Sequence, residues 1–464
     1  MDLKIVSKPK KILISGAGLV GSLLSVLLGR RGYEVAIFER RPDMRGVEVD
    51  GGRSINLALS SRGVHALEQA GLIDDVRKLL IPMRGRALHF SGGTEEFSSY
   101  GQREEELIYS VSRRDLNCLM MSAAEEAESV EIMFNQTVEK VDFDKGELGV
   151  VDLQNNRSYR QSFDLLIGAD GAGSPTRDAL LAANGGECTV DFLNHDYKEL
   201  EIPPLASEAG GYQVEPEALH IWPRGGYMLI ALPNQDGSFT VTLFMPKQGE
   251  ISFEKLENAD QLNAFFEAEF PSAKRLIPDL QADFFANAQG RLGTVRCSKW
   301  YHQNKALILG DASHAIVPFH GQGMNSGFED CSELIRLLDK HDDDWSKVLP
   351  EFDRIRRPNA NAIADMALEN YVTMRESVTD PKFQLKKDLG FELEQRFPDR
   401  FVPRYSMVMF HLLPYASAMT RGAIQQAILS ELVQGVNEIS DVDFERAGQL
   451  VQDQLAVVDL ARPY

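Results

Sequence analysis

The chain has 464 residues, too many for one ordinary core, so two or three subdomains are expected. Its 43% hydrophobic and 25% charged content is that of an ordinary soluble globular protein and excludes a chain dominated by disorder. A formal net charge of -20 argues against nucleic acid as a partner, while leaving room for a small anion in a local basic pocket.

Cys118, Cys188, Cys297 and Cys331 lie far apart in the chain without a Cys-x-x-Cys pair. They read as reduced, mostly buried thiols of a reducing, cytoplasmic compartment, and no metal is expected. The first eleven residues carry Lys4, Lys8, Lys10 and Lys11 but no apolar core of signal-peptide length. The uncharged stretch 405–420 is broken by Pro414 and falls short of the roughly 18 apolar residues of a membrane span.

In chain order, residues 11–15 read as a strand, and Gly16-Ala17-Gly18-Leu19-Val20-Gly21 opens a helix running to about Arg31. A second strand follows and ends at Phe38-Glu39. This is the dinucleotide fingerprint in its required context, with Gly16 for the turn, Gly18 for close approach of a pyrophosphate, Gly21 for helix packing and Glu39 for ribose hydroxyls. Glu39 would repel a 2′-phosphate, so FAD or NAD is expected here rather than NADP. Arg40 and Arg41 are either a solvated basic pair or contacts to the adenosine half.

Residues 42–53 read as a Gly-rich charged loop, followed by a run through Ala58 into a helix from about Ser60. Residues 84–90 and 107–111 alternate in strand fashion, and 113–128 read as a helix. Arg113 at its start either reaches a cofactor phosphate or is a surface arginine. Residues 163–174 again give a strand, an acidic stop at Asp170, a glycine turn and a helix. From about 184 to 300 the pattern is one of strands, with 227–232 and 238–245 flanking a turn at 233–237. Thr240 and Thr242 alternate with Phe239, Val241 and Leu243, which predicts a half-buried antiparallel sheet covering a pocket.

Residues 306–330 repeat the strand, turn and helix device. A buried strand at 306–309 stops at Gly310-Asp311, and Pro318 to Gly323 form a tight loop into a helix starting near Met324. Backbone N–H groups at a helix start stabilise a carbonyl gaining negative charge, as the N1–C2=O edge of a reduced flavin does, and Asp311 could hydrogen-bond a ribityl hydroxyl. Three such strand ends, at Gly16, Asp170 and Asp311, are expected to converge on one extended dinucleotide.

Beyond residue 322 helices are expected at 322–340, 345–376, 382–397, 414–438 and 441–457. Ile363, Met366, Ala367, Asn370, Tyr371 and Met374 share one face of the second. Asn370 there needs a partner, a helix or a ligand, because an unpaired buried amide costs about 1–3 kcal/mol. The expected class is α/β: a Rossmann-like FAD-binding fold in two segments, 1–183 and 301–340. Residues 184–300 make an inserted antiparallel β-sheet substrate domain, with strands from about 84–111, and 341–464 make a C-terminal helical region.

The three motifs, Gly16 to Glu39, Gly168-Ala-Asp-Gly171, and Gly310-Asp311 with His314 and Pro318-Phe-His-Gly-Gln-Gly-Met-Asn325, resemble those of the class A FAD-dependent aromatic hydroxylases. Phe38 to Asp43, Arg53-Ser-Ile-Asn-Leu-Ala-Leu59, Met83-Arg-Gly-Arg86, Leu219-His-Ile-Trp-Pro223, Phe239 to Phe244, Met366-Ala-Leu-Glu-Asn-Tyr371 and Phe401-Val-Pro-Arg-Tyr-Ser-Met407 resemble the kynurenine 3-monooxygenase family along nearly the whole chain.

That resemblance implies tightly bound, non-covalent FAD, touched by the fingerprint residues with Arg113, Asp170 and Asp311, and also by Phe38, Ala58, Gly323, Met324 and Asn325. NADPH is implied as a transient co-substrate and O₂ as oxidant, acting through a flavin hydroperoxide. L-kynurenine would become 3-hydroxy-L-kynurenine, a step of tryptophan catabolism and de novo NAD synthesis. Arg86, Tyr100, Asn370 and Tyr405 would hold the substrate's carboxylate, and Pro318, Phe319 and His320 would lie beside the flavin ring, Phe319 as apolar wall and His320 in a supporting role.

The resemblance is to the soluble bacterial form, so no membrane anchor is expected. Quaternary state stays open, a homodimer included. Competing readings are a hydroxylase of another aromatic carboxylate or phenol, and a non-catalytic flavoprotein interaction module. The isolated Trp222 and Trp300 do not provide the Trp-x-Trp of a flavin halogenase.

Overall fold

Ile12 to Ile14, Val35 to Phe38 and Leu165 to Ile167 are apolar without alternation, the pattern of strands covered on both faces. In the computed structural model they are buried parallel strands. Residues 11–46, 56–206, 211–374 and 381–460 are described. Lys4, Lys8, Lys10, Arg53 with the loop 47–55, and the expected helix end at 375–376 lie outside the described residues. The chain divides into two compact units: Met1–Leu80, Val111–Phe192 and Gly293–Ala364 form one, and Ile81–Ser110, Leu193–Leu292 and Asp365–Tyr464 the other. The mixed α/β class with a C-terminal helical region is as expected.

In the first unit, six strands lie in the order Tyr301–His302, Ala306–Ile308, Leu165–Gly168, Lys11–Ser15, Glu34–Glu39, Val130–Phe134. All neighbours are parallel except the 301–302 edge. Ser15 is level with Gly168, and Gly168 with Ile308, so the three strands that precede the three turns end side by side. The helices Leu19–Arg30, Pro175–Asn184 and Gly323–Lys340 follow those turns. A second sheet of three antiparallel strands, Gln136–Asp142, Glu147–Asp152 and Arg157–Ser162, was not anticipated, because its polar outward positions mask the strand period.

The second unit carries most of a seven-stranded sheet in the order Gly290–Cys297, Cys188–Ile202, Phe239–Pro246, Met228–Pro233, Ala218–Pro223, Gly85–His89, Glu95–Ser99, in which residues 188–192 and 293–297 belong to the first unit. Two expectations need correction. Thr240 and Thr242 are 6% and 8% exposed, so the strand Phe239–Pro246 is covered on both faces rather than half-buried. The stretch 184–300 also contains the helices Ala259–Glu269, Pro271–Leu276 and Leu280–Ala286, whose Leu262, Phe266, Phe270, Ile277 and Phe284 share a core with Leu229, Val241 and Leu243. Their short length, with Pro271 inside, hides the helical period.

The later helices are Trp345–Val372, Pro381–Arg396, Arg404–Met409, Tyr415–Leu432 and Phe444–Gln454. The fourth stops short of the expected 438, and Gly435 just beyond it takes φ +71°. Arg404–Met409, set between Pro403 and Pro414, was not anticipated. Among the described residues no helix is long and apolar enough to cross a membrane.

Candidate active site

In the first unit, Gly16 takes φ +100°, and a Cβ there would meet Ala169 O at 2.6 Å. A Cβ on Gly21 would lie 2.0 Å from Gly16 O, so helix and turn pack without room for a methyl. Gly18 differs: its backbone is extended and a Cβ would meet nothing within 4 Å. It faces open space at the start of a helix with no side-chain cap and no acidic residue in its first turn. The helix from Gly323 likewise starts with no side-chain cap and no acid in its first turn. Both starts leave backbone donors for an anion or a polarised carbonyl, and the open face at Gly18 fits a pyrophosphate, so the residues present fit FAD. A Gly18→Val variant should keep its unfolding free energy within about 1 kcal/mol of wild type, while absorbance at the flavin bands shows FAD lost; FAD retained at full occupancy would contradict this placement.

The carboxylates expected to touch cofactor divide into two kinds. Asp311 is exposed at the third turn, and so is Pro318 further along it, whereas Phe319 and His320 are buried. Asp170 is engaged within the protein: it accepts from Ser174 Oγ, Thr176 Oγ1 at 2.7 Å, Thr176 N at 3.2 Å and Ser15 Oγ at 3.2 Å. It therefore braces the second turn against the first. Asn325, fully buried, accepts from Ser60 N at 2.9 Å and donates to Ala58 O and Gly321 O, both at 2.8 Å, fixing the strand Asn56–Leu59 that carries Ala58.

Glu39 accepts from Ala17 N at 2.9 Å and from Arg41 N and Nε at 2.9 Å. Burial works most strongly against its charge, but these donors outweigh it and hold the carboxyl below its ordinary range. Arg41 is thus partnered by Glu39, while Arg40 and Arg113 are exposed. Phe38, Leu19 and Met324 are buried, and Val20 packs against Gly310 and Gly327, tying the first helix to the third turn.

Behind that third turn lies a buried ionic cluster that the motif reading missed. Asp330 Oδ2 accepts from Gly310 N at 2.8 Å and lies 2.6 Å from His314 Nε2, and Asp330 Oδ1 accepts from Arg356 Nε at 2.8 Å. Arg356 Nη1 also donates to Glu329 at 2.5 Å, and Glu329 takes Arg62 on its other oxygen. Burial pushes the Asp330 carboxyl up, but His314 and Arg356 outweigh it and the net direction is down. Trp300 stacks on His314 with ring centroids 5.0 Å apart. The available signal was Glu329-Asp330 placed between Phe328 and Cys331 on a buried helix, where two carboxylates require cations.

In the second unit, the structure brings together three of the four expected carboxylate-binding residues. Arg86 Cζ lies 5.4 Å from the Tyr100 ring centroid and 5.1 Å from that of Tyr405, and the two rings stack at 5.5 Å and 13°. Arg86 Nε and Tyr100 Oη are buried, and among the described residues neither makes a hydrogen bond of ordinary geometry. Burial is the largest influence on Arg86 and opposes its charge; Tyr405 and Tyr100 outweigh it, so the guanidinium stays charged.

The fourth residue, Asn370, is half-buried and donates to Met374 Sδ at 3.4 Å, a weak acceptor. Arg404 and Glu369, the neighbours of Tyr405 and Asn370, are paired at 2.7 Å, which ties the two helices together. Lys387 was not anticipated. Its Nζ donates to Ser98 Oγ and to Ser99 O at 3.3 Å, and Ser98 lies directly across the strand pair from Arg86. Burial first, then Arg86, pulls the Lys387 ammonium down to about 8.

Residues 10–367 match the family model for an FAD binding domain. Kynurenine 3-monooxygenase of Myxococcus xanthus is 48% identical over 444 residues, 96% of this chain and 95% of the relative. That of Stenotrophomonas maltophilia is 44% identical over 456 residues, covering 98% and 99%. Among solved structures, p-nitrophenol 4-monooxygenase PnpA from Pseudomonas putida has a TM-score of 0.65 at 18% identity, covering 92% of this chain and 98% of its own. The tetrameric form of 2-methyl-3-hydroxypyridine-5-carboxylic acid oxygenase has a TM-score of 0.64 at 19% identity, covering 81% and 95%. These last two likenesses speak to fold alone.

Proposed function

This chain belongs to the FAD-dependent kynurenine 3-monooxygenase family, and on that premise we propose that it hydroxylates L-kynurenine to 3-hydroxy-L-kynurenine with NADPH and O₂. The observation that carries the proposal is the Arg86 guanidinium, set against the stacked pair of Tyr100 and Tyr405 with its Nε buried. A half-buried charged fork in a partly apolar setting suits a carboxylate, since paired hydrogen bonds fix its direction as well as its affinity. Tyr100 and Tyr405 offer hydroxyl donors, Asn370 an amide donor, and the tyrosine rings exclude water around the anion.

On the cofactor side, Gly16, Gly18 and Gly21 with the first helix start would hold the pyrophosphate, Asp311 a ribityl hydroxyl, and the start of the helix at Gly323 the pyrimidine edge of the flavin. When bound and reduced by NADPH, FAD supplies the activated oxygen. Phe319 contributes apolar wall. Asp170, Asn325 and Glu39 brace the turns, and His320 keeps a supporting role. The substrate's aniline nitrogen activates its own ring, so the protein's task is to orient that ring and keep the site dry.

Lys387 gives this reading a pH dependence. In the ligand-free protein burial penalises its ammonium, so the unfolded chain binds the extra proton between about pH 8 and the ordinary lysine value, and stability rises with pH across that window. The same deprotonation removes a cation beside Arg86. KM for kynurenine should therefore rise as pH passes about 8, and Lys387→Met should flatten that limb; an unchanged limb in the variant counts against Lys387.

The function itself is tested by NADPH oxidation with a panel of ligands. Kynurenine should stimulate it strongly, its decarboxylated amine weakly, and other aryl carboxylates less than kynurenine. Stronger stimulation by another aryl carboxylate would move the assignment to that substrate.

A further inference from the structure

We propose that Cys188 and Cys297 form a reversible cross-strand disulfide when the protein meets a peroxide. The strands that carry them, Cys188–Ile202 and Gly290–Cys297, are neighbours at the edge of the seven-stranded sheet. Two contacts fix the register. Ser298 N donates to Glu187 O at 2.9 Å, which sets 187 opposite 298. A Cβ on Gly293 would lie 2.9 Å from the Phe192 ring, which sets 192 opposite 293. The same antiparallel register sets Cys188 opposite Cys297.

The pair next to a hydrogen-bonded one is a non-hydrogen-bonded pair, with Cα atoms about 4.5 Å apart. That lies inside the range of about 4.4–6.8 Å that a disulfide spans. The two sulfurs also sense each other: burial first, and then Cys188, pushes the Cys297 thiol up.

Access decides the order of events. Cys297 is buried and Cys188 half-buried, so peroxide reaches Cys188 first. Cys188–SH and H₂O₂ give the sulfenic acid and water; the Cys297 sulfur then displaces hydroxide from it, and the thiol proton leaves with that hydroxide as a second water. Two thiols are oxidised and one peroxide is reduced. Cys331 is fully buried, and its thiol points at Val20 O and Gly327 O instead.

The link would sit beside the cofactor turns. Val295, on the Cys297 strand, donates its N–H to Ala315 O at 2.8 Å, just past the third turn. Arg177, whose charge reaches Cys297, donates to Ala172 O at 2.7 Å and Ala312 O at 3.5 Å, carbonyls of the second and third turns. The bond closes a loop from residue 188 to 297 and restrains the unfolded chain, so oxidised protein should melt higher.

The test treats reduced, FAD-loaded full chain with hydrogen peroxide, quenches with catalase, alkylates the denatured protein without reductant and maps peptides by mass spectrometry. It needs no turnover, so it stands apart from the identity of the substrate. The expected result is a linked 188–297 peptide pair, loss of two hydrogens from the intact mass, a higher Tm, and reversal by dithiothreitol. Cys188→Ser and Cys297→Ala, tested separately, should each abolish the link and the Tm rise. Full alkylation of both cysteines after peroxide, over-oxidation of Cys188 with Cys297 still free, or a link between two chains would overturn the proposal.

Discussion

Arg86→Ala should weaken kynurenine binding by between about thirtyfold and a few thousandfold, the equivalent of about 2–5 kcal/mol for truncating one side of an enclosed charged pair. FAD content should stay at the wild-type level, because Arg86 belongs to the second unit and every proposed FAD contact to the first. The stability effect distinguishes a ligand-binding arginine from a structural one. Arg86 Nε is buried without an acceptor among the described residues, and the Lys387 ammonium is an electrostatic neighbour.

Burying such a charge costs folding free energy. Arg86→Met should therefore leave the ligand-free protein as stable as wild type or more so, while abolishing the stabilisation that kynurenine confers. Arg86→Lys should recover little of the affinity, since a point charge cannot make the paired contact. Calorimetric titration with kynurenine and thermal unfolding with and without it check all three. A variant with normal affinity, or one that unfolds with or without ligand, removes Arg86 from the substrate site.

The second large effect belongs to the buried cluster. Arg356 is fully buried and joins Asp330 to Glu329, and Asp330 holds Gly310 N, the pivot of the third turn. Arg356→Met takes the shared guanidinium from two buried carboxylates, which keep Arg62 on Glu329 and His314 with Gly310 N on Asp330. Breaking a buried ionic group from one side costs about 3–5 kcal/mol. The denaturation midpoint should fall accordingly, and the protein should purify with less FAD. Adding Glu329→Gln to Arg356→Met should restore part of the loss, because it removes the negative charge that the first change leaves in excess in the cluster. A double variant no better than the single would show that the cluster is held by shape rather than charge.

The cofactor half was legible because its signals are local. Continuous apolar runs, glycines at fixed spacing and acidic strand ends specify strand, turn and helix without knowledge of what packs on them. The level ends of Lys11–Ser15, Leu165–Gly168 and Ala306–Ile308 follow from that reading. Roles within the turns were less legible. Asp170 and Asn325 look like ligand contacts in a motif, yet their side chains are taken up by Ser15, Thr176, Ala58 and Gly321, partners brought near only by folding.

The proposed carboxylate site lay at the other extreme. Spacing singled out Asn370 alone, and Arg86, Tyr100 and Tyr405 were named through family resemblance, since they come from a sheet and a short helix far apart in the chain. Lys387 and the Cys188 and Cys297 pair depend wholly on cross-strand and helix-to-strand register, which no local pattern carries.

The most direct measurement is a single turnover with kynurenine, NADPH and ¹⁸O₂, read by mass spectrometry. The account predicts a product carrying one heavy oxygen on the ring position next to the amino group, one NADPH consumed per product, and little hydrogen peroxide. NADPH consumed with kynurenine recovered unchanged, or oxygen drawn from water, would contradict it.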